Sequence, residues 1–193
     1  MISNVGTATA ADEASTIGVL VRAFSADPVA QWLWHDPQQY YIHFPSFVRA
    51  FAGKAFTHGS AYYVNGFAAT ALWLPPNVHP NEKELISVVK RTVSEVIQKD
   101  FFRVFELMNA YHPSEPHWYL PLMGVHPLQQ GKGFGSALLQ HTLIQCDRDS
   151  KFVYLESSNP RNIPLYKRHD FELLGKIQAG TSPPILPMLR RPR

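Results

Sequence analysis

Gln130-Gly131-Lys132-Gly133-Phe134-Gly135-Ser136 stands between an apolar run, residues 118–125, and a segment of helical periodicity, residues 131–146. Glycines at such a junction let the backbone turn tightly and come close to a ligand. The free N–H groups of the first helical turn then point outward at the positive end of the helix dipole, which suits a pyrophosphate. Lys132 adds a point charge. A Walker A loop needs four residues between its first Gly and Gly-Lys, then a Ser or Thr after the Lys. Gly124 lies too far upstream for that, and Gly133 follows the Lys. The dinucleotide fingerprint G-x-G-x-x-G fails too, because Gly131, Gly133 and Gly135 are spaced G-x-G-x-G.

What fits is Q/R-x-x-G-x-G/A, with Gln130, Gly133 and Gly135 following a strand that ends Gly-Val-His-Pro. Some thirty residues on comes Leu155-Glu156-Ser157-Ser158-Asn159-Pro160-Arg161-Asn162, running through Tyr166 to Asp170-Phe171. It reads as a strand followed by a short helix with Asn162 and Tyr166 four apart on one face. In order and spacing the two segments resemble motifs A and B of the GNAT acetyltransferases. The run 119–171 looks most similar to the subgroup containing puromycin N-acetyltransferase. Asp170 stands where the family usually has Gly, and Asp tolerates the left-handed cap conformation at modest cost.

The resemblance implies an α/β fold of GNAT type. It is a three-layer sandwich around a central mixed, mostly antiparallel sheet, splayed at the cofactor strand. It also implies acetyl-CoA as co-substrate and direct attack of a primary amine, from a small-molecule acceptor, on the thioester. The cofactor contacts carried over are Met123, Gly124, Val125, Gln130, Gly131, Lys132, Gly133, Phe134, Gly135, Ser136, Asn162 and Tyr166. Tyr166 is the expected acid for the departing thiolate. Glu156 is the best-placed general base, with His117 a weaker candidate, since no Glu lies on strand 118–125. Pro121 inside that strand cannot donate to a ladder, so a bulge or a gap in pairing is expected there. A non-catalytic acyl-CoA sensor is the alternative; an acid beside the sulfur favours the enzyme.

Outward from this segment the chain reads as one domain, residues 1–193, with helical elaborations at about 27–60 and 77–116. Residues 3–8 read as a first strand. A helix with Ile17, Leu20, Val21 and Phe24 on one face opens at Asp12-Glu13. Asp27-Pro28 starts another as N-cap and first position. A helix covers 38–55 despite Pro45. Asn65-Gly66 marks a hairpin joining 61–64 to 67–74. Two helices follow Asn81, with the break near Lys99-Asp100. Strands are expected at 152–156 and 171–179, a short helix at 162–169, and an edge strand at 183–190. Phe24, Trp32, Trp34, Tyr40, Tyr41, Phe44, Phe47, Tyr62, Tyr63 and Trp73 are the candidate wall of an acceptor pocket for a small, partly apolar amine.

Composition narrows the classes. Hydrophobic residues make up 45% and charged residues 17%, a globular balance. A net charge of +3 does not call for nucleic acid. Arg190, Arg191 and Arg193 read as a solvated tail. The single cysteine, Cys146, permits no intrachain disulfide and reads as a packed side chain. Without a signal-like start or a membrane-length apolar run, a soluble cytoplasmic protein, monomer or homodimer, is expected. The nine histidines lack metal-ligand spacing, His112 with His117 included, and no metal is expected.

Overall fold

The computed structural model describes residues 4–193, so Ser3 of the expected first strand lies outside the described residues. Strands Val5–Thr7 (β1), Ala61–Val64 (β2), Ala69–Leu74 (β3), His117–Val125 (β4), Phe152–Ser157 (β5), Glu172–Leu173 (β6) and Leu186–Arg190 (β7) form one sheet. Its order is β1-β2-β3-β4-β5-β7-β6. β4 and β5 run parallel and the other neighbours antiparallel. Side chains alternate across each strand. Leu72 and Leu74 of β3 therefore face one core, with Tyr119 and Tyr154, while Ala71 and Trp73 face the other.

The first core is covered by helices Glu13–Ala23 (α1), Pro28–Leu33 (α2), Pro37–Ala52 (α3), Lys54–Thr57 (α4), Glu82–Thr92 (α5) and Glu95–Tyr111 (α6). The second lies under Phe134–Arg148 (α7) and Ile163–Lys167 (α8). Two helical layers on a mostly antiparallel sheet make the expected sandwich.

Asp27 caps α2 as read, accepting from the amides of Val29 and Ala30 at 2.9 and 3.2 Å. Pro45 sits inside α3 without ending it. The carbonyl it leaves unpaired belongs to Tyr41, a residue 55% exposed. The hairpin forms with Asn65, Gly66 and Phe67 all at positive φ, so β3 starts two residues later than expected. The helix break falls at Val93-Ser94, not at Lys99-Asp100. Val93 is extended yet buried, so the apolar pattern runs through the break and hides it.

Three boundaries in the second half differ. α7 begins at Phe134 because Gly131 and Gly133 adopt left-handed φ of 77° and 82°. The strand expected at 171–179 shrinks to β6 and one bridge, Ile177 to Ile185. β7 is not an edge: it lies between β5 and β6. Pro187 is tolerated there because its carbonyl accepts from Leu174, so its polar groups turn toward short β6 and not toward β5.

Candidate active site

β4 and β5 pair from His117–Phe152 to Leu120–Leu155 and then part. On the other side β4 slips one residue against β3 between Leu72 and Leu74. The bulge and the parting both fall at Pro121, which has no N–H for either neighbour. Beyond it, β4 is paired on the β3 side alone. His126 donates to the carbonyl of Ala68 across that ladder, 2.9 Å. By alternation the backbone groups of Val125 and Met123 then face the open slot. Gly124 is needed for another reason: a Cβ there would lie 2.7 Å from the Cβ of Ala23, where α1 packs on β4.

The slot opens onto residues 130–136. The amides from Gly131 to Ser136 have no acceptor among the described residues. A Cβ at Gly131 or Gly133 would meet nothing within 4 Å, so the loop's outer side is open. Lys132 is held by Gln129 Oε1 at 2.8 Å, and Ser136 Oγ pairs with His169 Nε2 at 2.6 Å. A cradle of free amides, a nearby cation and a helix start fit the pyrophosphate of a CoA thioester.

Beside the point where β4 and β5 part lies a cavity walled by Phe24, Trp32, Phe44, Phe47, Phe51, Phe101 and Phe105. Four of these were on the expected list. Trp34 and Tyr40 are instead buried core, Tyr41 is exposed, Tyr63 stacks on Phe67, and Tyr62 and Trp73 lie in the core under α7. The strand pleat sends Tyr62 and Trp73 to the opposite face. α6, which supplies Phe101 and Phe105, was missed, because its apolar stripe reads equally as ordinary core.

The polar wall of the cavity includes Asp27, Glu156 and Ser158, with Pro121 beside them. Ser158 donates to Asp27 Oδ2 at 2.6 Å, tying the end of β5 to the cap of α2. Burial raises the pKa of Asp27, opposed by its bonds from Ser158, Ala30 and Val29. Glu156 stands one residue past the last β4–β5 pair. Its side chain is 4% exposed, and Oε1 makes no aligned hydrogen bond. His112 Nε2 lies 3.3 Å from that oxygen, within ion-pair range but off-line. His112 Nδ1 in turn meets His117 Nε2 at 3.0 Å, and His117 Nδ1 meets the carbonyl of Glu115 at 2.8 Å. Burial, reinforced by the Glu156 carboxylate, holds the phenols of Tyr119 and Tyr154 protonated. His112 was dismissed in the sequence because the contact is made by the turn 112–117, which no ligand spacing describes.

Tyr166 is buried in the second core, edge-on to Phe171 at 5.9 Å, and does not line the aromatic cavity. Burial, with Asp27 adding, pushes its phenol well above the usual range. Asn162 closes a 3-10 turn and sits at the N-cap of α8 in right-handed helical conformation, exposed where Tyr166 is buried. Asp170 does take the left-handed cap, φ 65°. Cys146 is fully buried and its thiol is pushed up to about 12, chiefly by burial. The arginine tail is not solvated throughout. Arg190 is buried and bonds both Asp147 oxygens, at 2.6 and 2.8 Å, and Arg193 pairs with Asp170. No helix among the described residues is long and apolar enough to cross a membrane.

The family described as the acetyltransferase (GNAT) domain matches residues 86–173. An uncharacterized N-acetyltransferase of Schizosaccharomyces pombe is 27% identical over 176 residues, covering 84% of this chain and 71% of that protein. A crystal structure described as histone acetyltransferase HPA2 and related acetyltransferase, from Corynebacterium glutamicum, superposes with a TM-score of 0.72 at 25% identity, covering 100% of this chain and 98% of the other. Arylalkylamine N-acetyltransferase 2 from Aedes aegypti shares the fold, with a TM-score of 0.68 at 12% identity over 99% of each chain. In its matched segment, in its curated relative and in its fold the chain is thus similar to GNAT acetyltransferases, a similarity that supports acyltransferase activity.

Proposed function

We propose that the chain moves an acetyl group from acetyl-CoA to the primary amine of a small, largely apolar molecule. The observation that carries this reading is Glu156, a buried carboxylate with an unbonded oxygen, at the point where β4 and β5 part and on the wall of an aromatic cavity. Asp27 spends its oxygens on Val29, Ala30 and Ser158, which leaves Glu156 to receive an amine. The apolar walls take the rest of the acceptor. The resemblance read in residues 119–171 to the subgroup containing puromycin N-acetyltransferase is in keeping with a small-molecule acceptor.

The slot and the glycine loop align the thioester with the amine, which is worth several kcal/mol when geometry is held. Glu156 accepts the amine proton as the C–N bond forms. Tyr166, kept protonated by its surroundings, supplies the proton for the departing thiolate. In this role Asn162, Met123, Val125 and residues 130–136 hold the CoA arm.

The test is thiol release from acetyl-CoA across a panel of arylalkyl and alkyl primary amines, with CoA binding measured by calorimetry. Glu156→Gln is expected to lose about a hundredfold or more in kcat/KM while binding CoA normally. Wild-type turnover in Glu156→Gln would remove the base role. CoA binding with no stimulation by any amine would favour a binding-only domain.

A further inference from the structure

Residues 177–185, between β6 and β7, lie across the rim of the aromatic cavity. Ile177 and Ile185 are buried with Val104 of α6, and Val29 of α2 packs beside them. Each of the two isoleucines donates its amide to the other's carbonyl, at 2.8 and 2.9 Å. Ile185 and Val104 also line the cavity. The tip of the segment closes on itself: the Ser182 amide donates to the carbonyl of Ala179, and the Ala179 amide to Ser182 Oγ, both at 2.9 Å. At that tip Thr181 Oγ1 lies 3.1 Å from Trp32 Nε1 of α2 and 3.1 Å from Asp100 Oδ2 of α6. We propose that Trp32 determines which acceptor amines the cavity prefers, those with an aromatic body, and that Thr181 and Asp100 are the positioning residues that fix its ring. The inference rests on the functional reading above.

Chemistry sets the direction of these bonds. An indole nitrogen only donates and a carboxylate only accepts, so the Thr181 hydroxyl accepts from Trp32 and donates to Asp100. The Thr181 amide donates to the same carboxylate oxygen at 2.8 Å. Asp100 directly precedes Phe101, a wall residue on α6. The latch therefore joins α2, the segment 177–185 and α6 around one rim, across 149 and 81 residues of sequence. Gly180 permits the close approach, since a Cβ there would overlap both Asp100 oxygens.

Trp32 differs from the rest of the aromatic wall. The six phenylalanines are paired ring to ring, Phe24 with Phe44, Phe47 with Phe51 and Phe101 with Phe105. Trp32 has no ring partner among the described residues. Its N–H edge is taken by Thr181, which leaves the apolar remainder of the ring to the cavity. Trp32 is the fifth residue of α2, so it stands about 7 Å along the helix from the Asp27 cap that bonds Ser158. The polar wall and Trp32 thus belong to opposite ends of α2. An acceptor with its nitrogen at the polar wall meets Trp32 with its body, and an aryl group there gains the offset or edge-on contact that rings prefer. A short alkyl amine does not reach it. Because the latch has already fixed the indole, binding does not have to order that side chain.

Two measurements on the full chain test this together. The four tryptophans give four indole N–H signals in a nitrogen-15 spectrum, and the signal of Trp32 is the one lost in Trp32→Phe. Its proton is expected to exchange with water about tenfold or more faster in Thr181→Val than in the wild type or Thr181→Ser. Thr181→Val keeps the side chain's shape and the amide bond to Asp100, so the segment stays docked. In turnover, the KM of Thr181→Val for an arylalkyl amine is expected to rise about fivefold with kcat within about twofold, and its preference over a short alkyl amine to shrink by the same factor. Thr181→Ser is expected to restore both. An indole proton indifferent to Thr181→Val would overturn the latch. Equal changes for the two amines, or a lower kcat at unchanged KM, would overturn the specificity role even in an active enzyme. A latched indole in a chain that acetylates no amine would instead sink the functional reading, and the specificity role with it.

Discussion

The cofactor side of the molecule, β4 through α8, is made from backbone; the acceptor side, α1 to α6, is made from side chains. The first consists of free amides, two left-handed glycines, and a strand pair broken at a proline. The second consists of aromatic rings brought together from α1, α2, α3 and α6, such as Phe24 on Phe44 at 5.6 Å and Phe101 on Phe105 at 6.1 Å. Backbone sites are written in residues with special stereochemistry, close together in sequence. Side-chain cavities are written in ordinary core residues, and their shape depends on packing between distant elements.

This contrast is open to attack by substitution. The largest expected effect is on the cofactor side's far anchor. Asp147→Ala strands the buried Arg190 guanidinium without its partner and is expected to cost about 3 kcal/mol near neutral pH, read by chemical denaturation. The bond from Arg190 holds the Asp147 carboxyl below the usual range. The folded value being depressed, its contribution is complete above the ordinary carboxylate pKa of about 4 and is lost as pH falls through the lower folded value. The gap between wild type and Asp147→Ala should therefore close in acid. A gap that persists there would mean the loss is packing rather than charge.

Next in size is the tie between the two sides. Asp27→Ala removes the α2 cap and the acceptor for Ser158, with about 2 kcal/mol lost. If the acceptor side depends on packing, amine KM should rise with CoA affinity little changed; an equal loss of CoA binding would show that the two sides are not separable in this way. Smallest is Gly133→Ala. Its Cβ meets nothing, so only the left-handed backbone is strained, by about 1 kcal/mol. CoA affinity is expected to fall while the aromatic cavity, probed by binding of the free amine, keeps its affinity.

Legibility in the sequence follows the same division. Asp27-Pro28, Asn65-Gly66, Pro121 and Asp170 each announced a local backbone feature that the structure contains. Residues 171–179 misled because an apolar, β-prone run forms a strand only where a partner is available, and β7 offers pairing to two of them. Of the ten aromatics singled out in the first half, four reach the cavity. Nothing local separates Phe47 from Trp34. The Glu156–His112–His117 contacts join β5, the end of α6 and the start of β4, and so belong to tertiary geometry alone.

The seating of β7 between β5 and β6 has a consequence for synthesis. β5 shows an unpaired edge until residues 186–190 exist to cover it, and Arg190 is the residue that bonds Asp147. A nascent chain shorter than that has a Phe-Val-Tyr-Leu strand open to other strands. High contact order of this sort delays folding until the distant segment arrives. Ribosome-bound chains ending before residue 186 are thus the ones expected to need a chaperone, and those carried past Arg190 the first able to close the sheet.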